Sequence, residues 1–282
     1  VMRAHHPHPK SIVDLSKDFV EDTAAMTTSP GAAKIVEIAS SDPLMRAAVV
    51  LENGKIVAKY HRDDVDENTP NQVWSTTKSW MSMLIGILVD NGVLSIDETL
   101  GDIFTDDSVW ADVDDGTIDF RKSVKIKDML TMTSGLVCPP EEDILAMLGL
   151  PVEELAAAMG SIIEAGASSN SGGASLSGSL SHPAIAKKGE FSYLGTNNIL
   201  SYVIKERTGM TPRAYLSKNI LPKLGIKESE HSWWQTSGKM HYSYHGLEIT
   251  PLQMAKLPQL YLQGGLYKPS TSSTTSTDDS QL

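Results

Sequence analysis

Two side chains in the run VWSTTKSW stand three residues apart, Ser75 and Lys78. On a helix that spacing puts both on one face of the same turn. A serine hydroxyl is a weak nucleophile until a base takes its proton. A lysine becomes that base when burial disfavours its ammonium form. The partial positive charge of a helix N-terminus acts in the same direction, and the N–H groups there, that of Ser75 included, can hold an oxyanion. The chemistry this pattern suits is acylation of a serine by an ester or amide carbonyl. The same four letters also describe a polar N-cap followed by a solvent-facing lysine, so the surrounding elements must decide.

The segment from Ser75 to Asn91 reads as a helix that stops at Gly92. From Trp80 to Val89 its apolar residues surround the axis, which places it in the middle of a domain. A polar first turn (Ser75, Thr76, Thr77, Lys78) on a buried helix calls for a chemical explanation. Upstream, the β-prone runs Ala47–Leu51 and Lys55–Tyr60 flank Asn53-Gly54, a favoured hairpin turn because both positions accept positive φ. Ile12, Leu15, Phe19 and Val20 recur near helical spacing and predict a helix over Ser11–Ala25. Short helical patches are expected in Leu94–Phe104 and Ile126–Leu136. Further helices are expected over Glu153–Ala165, Asn198–Arg207, Pro212–Leu224 and Thr250–Leu262. Residues 1–43 form a leader and helix, 44–265 the main domain with a flexible Ser/Gly-rich loop at 166–181, and 266–282 a polar tail.

Composition removes several function classes. The 282 residues carry 24 Lys and Arg against 35 Asp and Glu, a net charge of −11, which is no footprint for gripping phosphate backbones, so no nucleic-acid partner is expected. The apolar run Trp80–Val89 is too short for the ~20 residues a bilayer needs. No signal-peptide pattern is visible at the start, where the chain opens on Val1, which leaves the compartment open. One cysteine, Cys138, allows no internal disulfide. His5, His6 and His8 read as part of a flexible leader, and His241 and His245, four apart, sit in a loop-like YSY context; neither group reads as a metal site. Trp233-Trp234 reads as packing. No cofactor or metal is expected.

VWSTTKSW, the buried helix after it, NGVLSIDETLGDIF and IKDMLTMTSGL together resemble the serine β-lactamase-related family, which includes class C β-lactamases, penicillin-binding carboxypeptidases and β-lactamase-like esterases. KKGEFSYLGTNNILSYVIKERTGM and GLEITPLQMAKLPQLYLQGG extend the resemblance in the same order, from about Leu44 to Gly265. The resemblance implies an α+β, β-lactamase/transpeptidase-like fold, with a helical region packed on a mostly antiparallel sheet. It also implies a serine hydrolase acting on a small-molecule ester or amide through an acyl-enzyme. Ser75 would be the nucleophile, Lys78 its general base, and Tyr193 the tyrosine of the second motif, whose phenol relays a proton.

Two departures qualify that expectation. The family's asparagine two positions after the tyrosine is Gly195 here, with Asn197 and Asn198 nearby, which weakens the case for β-lactams more than for simple esters and amides. No Lys- or His-containing third motif follows Gly265, so the C-terminal strands of the domain read as missing. A catalytically silent scaffold or binding protein of the same fold is therefore the alternative expectation.

Overall fold

The computed structural model describes residues 12–111, 116, 118–136, 187–193, 198–236, 238–267 and 280–281. The His-rich leader, Cys138, the expected helix over Glu153–Ala165, the Ser/Gly-rich loop, Gly195 and most of the polar tail lie outside these residues. The chain divides into two compact units, 1–73 with 215–232 and 247–282, and 74–214 with 233–246.

In the first unit, β2 (Ala47–Glu52) and β3 (Lys55–His61) form the expected antiparallel hairpin. Its turn rests on Asn53 at φ +51° and Gly54 at φ +76°, the left-handed pair a two-residue loop requires. A bulge between Val50 and Leu51 shifts the register. Of the helix expected over Ser11–Ala25, the described residues before Thr23 show none. Asp14 Oδ1 accepts from the Ser16 N–H (3.1 Å) and hydroxyl (2.6 Å), a local turn that competes with helical hydrogen bonding. Beyond it, β1 (Val20–Glu21) pairs in parallel with β3. Helix α1 (Thr23–Thr28) begins only there, its N-cap Asp22 accepting from the Ala25 N–H at 3.1 Å. Pairing with a strand thus overrides the apolar spacing. Helix α2 (Pro30–Ser41) starts on Ser29 as N-cap with Pro30 in its first turn, and it packs against the hairpin. β4 (Asn71–Gln72) pairs antiparallel with β6 (Leu247–Ile249), which lies between β4 and β5 (His231–Trp233).

The second unit is helical. Its centre is α3 (Thr77–Asp90), in which Trp80, Met81, Leu84, Ile85 and Leu88 are essentially inaccessible. Burying a side chain of that size contributes roughly 1.5–3 kcal/mol, so this helix is the anchor of the unit. The short helices α4 (Leu100–Ile103) and α6 (Ile126–Leu130) fall in the Gly-punctuated patches of the sequence, and α5 (Ile118–Lys122) lies between those patches. Helix α7 (Ile199–Thr208) packs on α3, and its Arg207 pairs with Glu98 in the segment before α4. The architecture is α+β, and among the described residues no helix is long and apolar enough to cross a membrane.

Candidate active site

One 3₁₀ turn, Trp74–Thr76, runs directly into α3. Trp74 opens it at φ +47°, a left-handed conformation that costs a bulky residue about 1–2 kcal/mol. Ser75 then sits one turn before Lys78, and Lys78 Nζ lies 3.0 Å from Ser75 Oγ. The same ammonium reaches the Tyr244 carbonyl at 3.1 Å and the Tyr193 hydroxyl at 3.4 Å. Its nitrogen stands 4.5 Å from the centre of the Tyr193 ring. The three residues singled out in the sequence therefore meet around one nitrogen.

Each partner is carried by a different piece of chain. Tyr193 follows residues that are clipped to the turn after α6, where the Gly189 and Ser192 N–H groups donate to the Thr133 and Met132 carbonyls, both at 2.9 Å. Met132, at φ +58°, is part of that turn. Tyr244 lies in the loop 241–246. There Asn198, buried at the start of α7, accepts the Ser243 N–H on its Oδ1 at 3.1 Å. The loop closes where the Trp234 N–H donates to the Gly246 carbonyl at 2.9 Å. Gly246 has φ +88°, and a Cβ there would stand 3.0 Å from Trp234 Cβ, so both backbone and space favour glycine.

Compared with known proteins, residues 30–237 match the family model described as Beta-lactamase. The chain belongs to the β-lactamase family. Solved structures similar to this β-lactamase-family chain include a protein from Bacillus anthracis provisionally described as a 6-aminohexanoate-dimer hydrolase. It is 17% identical with a TM-score of 0.56, over 80% of this chain and 56% of that one. A provisionally described β-lactamase from Bacteroides dorei DSM 17855 is 17% identical with a TM-score of 0.54, over 78% and 58%. The D-amino acid amidase from Ochrobactrum anthropi SV3 is 17% identical with a TM-score of 0.50, over 77% and 65%. At such identities the likeness is one of fold, and the fold is the β-lactamase/transpeptidase-like α+β type. The chain spans between about half and two thirds of the length of these structures. No curated protein matches it in sequence.

The electrostatics of this β-lactamase-family site follow from its burial. Desolvation pushes the Lys78 ammonium below the ordinary lysine value of 10.5, and Tyr193 partly opposes the shift. Three acceptors suit the three hydrogens of an ammonium. After losing one proton, the amine can still donate to the Tyr244 carbonyl and the Tyr193 hydroxyl, and its lone pair is left for the Ser75 O–H. His245 lies against the rings of Tyr242 and Tyr244, with centroids 4.3 and 4.6 Å away. Burial, reinforced by the Lys78 charge, pushes its imidazole down to about 4, so it is neutral at pH 7. Beside Lys78 a cavity of about 40 Å³ is lined by Met81, Met129, Met132 and Leu200, with Ser82 and Ser243 at its polar edge. That exceeds the ~10–15 Å³ one water needs on this measure.

The Tyr244 carbonyl and His245 are the parts the sequence did not reveal as members of the site. The only signal for them is the aromatic cluster YSYHG ending in a turn glycine. His241 and His245 do lie in a loop. His241 meets Gln235 Nε2 at 3.0 Å while His245 packs among tyrosines, so the two histidines face different partners. Trp233 is buried as expected, its Nε1 donating to the Tyr242 carbonyl at 2.8 Å.

Proposed function

We propose that this protein is a serine hydrolase that cleaves a small ester or amide through an acyl-enzyme on Ser75. The observation that carries the reading is the single half-buried nitrogen, Lys78 Nζ, held 3.0 Å from Ser75 Oγ and 3.4 Å from the Tyr193 hydroxyl. Neutral Lys78 takes the Ser75 proton as Oγ bonds to the substrate carbonyl carbon, and the carbonyl oxygen becomes an oxyanion beside the Ser75 N–H. The tetrahedral intermediate collapses by breaking the bond to the leaving alcohol or amine. That group receives the proton from Lys78 through the Tyr193 phenol. Water then attacks the ester on Ser75, giving its proton back along the same path and freeing Ser75.

Support comes from family membership and from a lysine whose charged form is disfavoured by burial. The test is covalent labelling by a fluorophosphonate, read by intact mass and peptide mapping. One adduct on Ser75 is expected. It should be lost in Ser75→Ala, and its rate should fall by about 10²–10⁴ in Lys78→Ala, the span of general-base catalysis. An undiminished adduct in Ser75→Ala, or none on folded wild-type chain, overturns the reading.

A further inference from the structure

The chain contains five Trp, eight Tyr and four Phe. Among the described residues only four of these side chains are strongly exposed: Trp74 (40%), Phe191 (69%), Tyr193 (48%) and Tyr261 (55%). Three of the four belong to the segments that build the site. Trp74 adjoins Ser75, so their Cα atoms are ~3.8 Å apart. Phe191 precedes Tyr193 by two residues, a step of at most roughly 7 Å. The Tyr193 ring itself is 4.5 Å from Lys78 Nζ.

Position 74 makes the case sharper. Its φ of +47° is one that glycine adopts freely and that strains a tryptophan. A turn that needed only its backbone shape would be better served by glycine. The indole therefore brings something that the turn does not require. Aromatic faces bury large apolar area with little loss of side-chain freedom, and an exposed group of them marks a binding surface.

We propose that Trp74 and Phe191 form an apolar wall beside Ser75, and that they select uncharged substrates whose acyl part carries an aryl or alkyl group. This deepens the serine-hydrolase reading and rests on it. A small uncharged acyl group leaves the wall wet. A phenylalkyl group covers it, and its binding energy appears chiefly in KM.

The experiment compares kcat/KM for 4-nitrophenyl acetate and 4-nitrophenyl 4-phenylbutyrate. Wild type should favour the phenylbutyrate by about tenfold, the effect of ~1.4 kcal/mol of added contact. Trp74→Gly, which keeps the left-handed turn accessible, and Phe191→Ala should each remove most of that preference through KM. Trp74→Phe should restore it. The ratio of the two esters cancels any change in Ser75 reactivity common to both. A ratio within about twofold of wild type in both variants overturns the proposal.

Binding of the unreactive N-methyl-4-phenylbutanamide, followed by ligand-observed NMR, reads the wall without chemistry. Weaker binding in both variants supports the wall even where neither ester is cleaved, a result that would count against the hydrolase reading alone. Equal binding by wild type and variants, or none by wild type, overturns it.

Discussion

Lys78 donates to three oxygens as an ammonium and can accept from Ser75 only after losing one proton. Labelling of Ser75 should therefore rise with pH through an apparent pKa below the free-lysine 10.5, because burial has already weakened the charged form. A rate profile flat in pH over that range would contradict Lys78 as the base. Tyr193→Phe keeps the ring over the ammonium and removes the hydroxyl. Turnover of an amide, whose leaving group needs a proton, should fall by about 10²-fold, and the labelling rate should fall much less. Steady-state kinetics beside labelling rates would separate the two effects.

Among the elements, the loop 241–246 and the start of α7 matter most, since together they fix the Tyr244 carbonyl. Asn198→Ala leaves the Ser243 N–H buried without its acceptor, at a cost of about 1–3 kcal/mol. It should also slow Ser75 labelling. Asn198→Asp keeps an acceptor at that position and should recover most of both losses, as read by denaturant unfolding and labelling. Gly246→Ala strains a φ of +88° and crowds Trp234, so it should lower stability and labelling together.

The strongest elements were legible from sequence because local signals and burial agree in them. Asn53-Gly54 dictated its hairpin, and the apolar run of α3 dictated its burial. Ile12, Leu15 and Phe19 misled, because spacing alone does not see an Asp14 turn or a partner strand 35 residues away. Ser75 and Lys78 were singled out by residue type and spacing and Tyr193 by the family resemblance, and the three side chains lie together in the structure. Asn198 was noticed as a letter, but its role as an acceptor for a residue 45 positions on depends on tertiary contact.

Across the whole molecule, pH should act at both ends of the stability range. His241 and His245 are each pushed down to about 4 by burial, against an ordinary 6.5. The unfolded chain binds more protons than the fold between those values, so stability rises with pH across that interval and is lost as pH falls from 6.5 toward 4. Lys256 supplies the alkaline counterpart. It is buried with Nζ donating to the Leu224 carbonyl at 2.6 Å, and desolvation lowers its pKa from 10.5. Wild type should therefore gain stability relative to Lys256→Met as pH rises toward 10.5, in thermal melts of the two proteins at neutral and alkaline pH. Parallel curves would contradict that.

The lysine we propose as the base for Ser75 is steadied by a main-chain oxygen at position 244. Any amino acid there supplies the same atom, so an alanine at 244 would report on the ring packed against His245 and not on the oxygen. What selection can act on is the path of the chain through that point, which Asn198 and Gly246 hold. The position of that oxygen is thus written in residues other than the one that carries it.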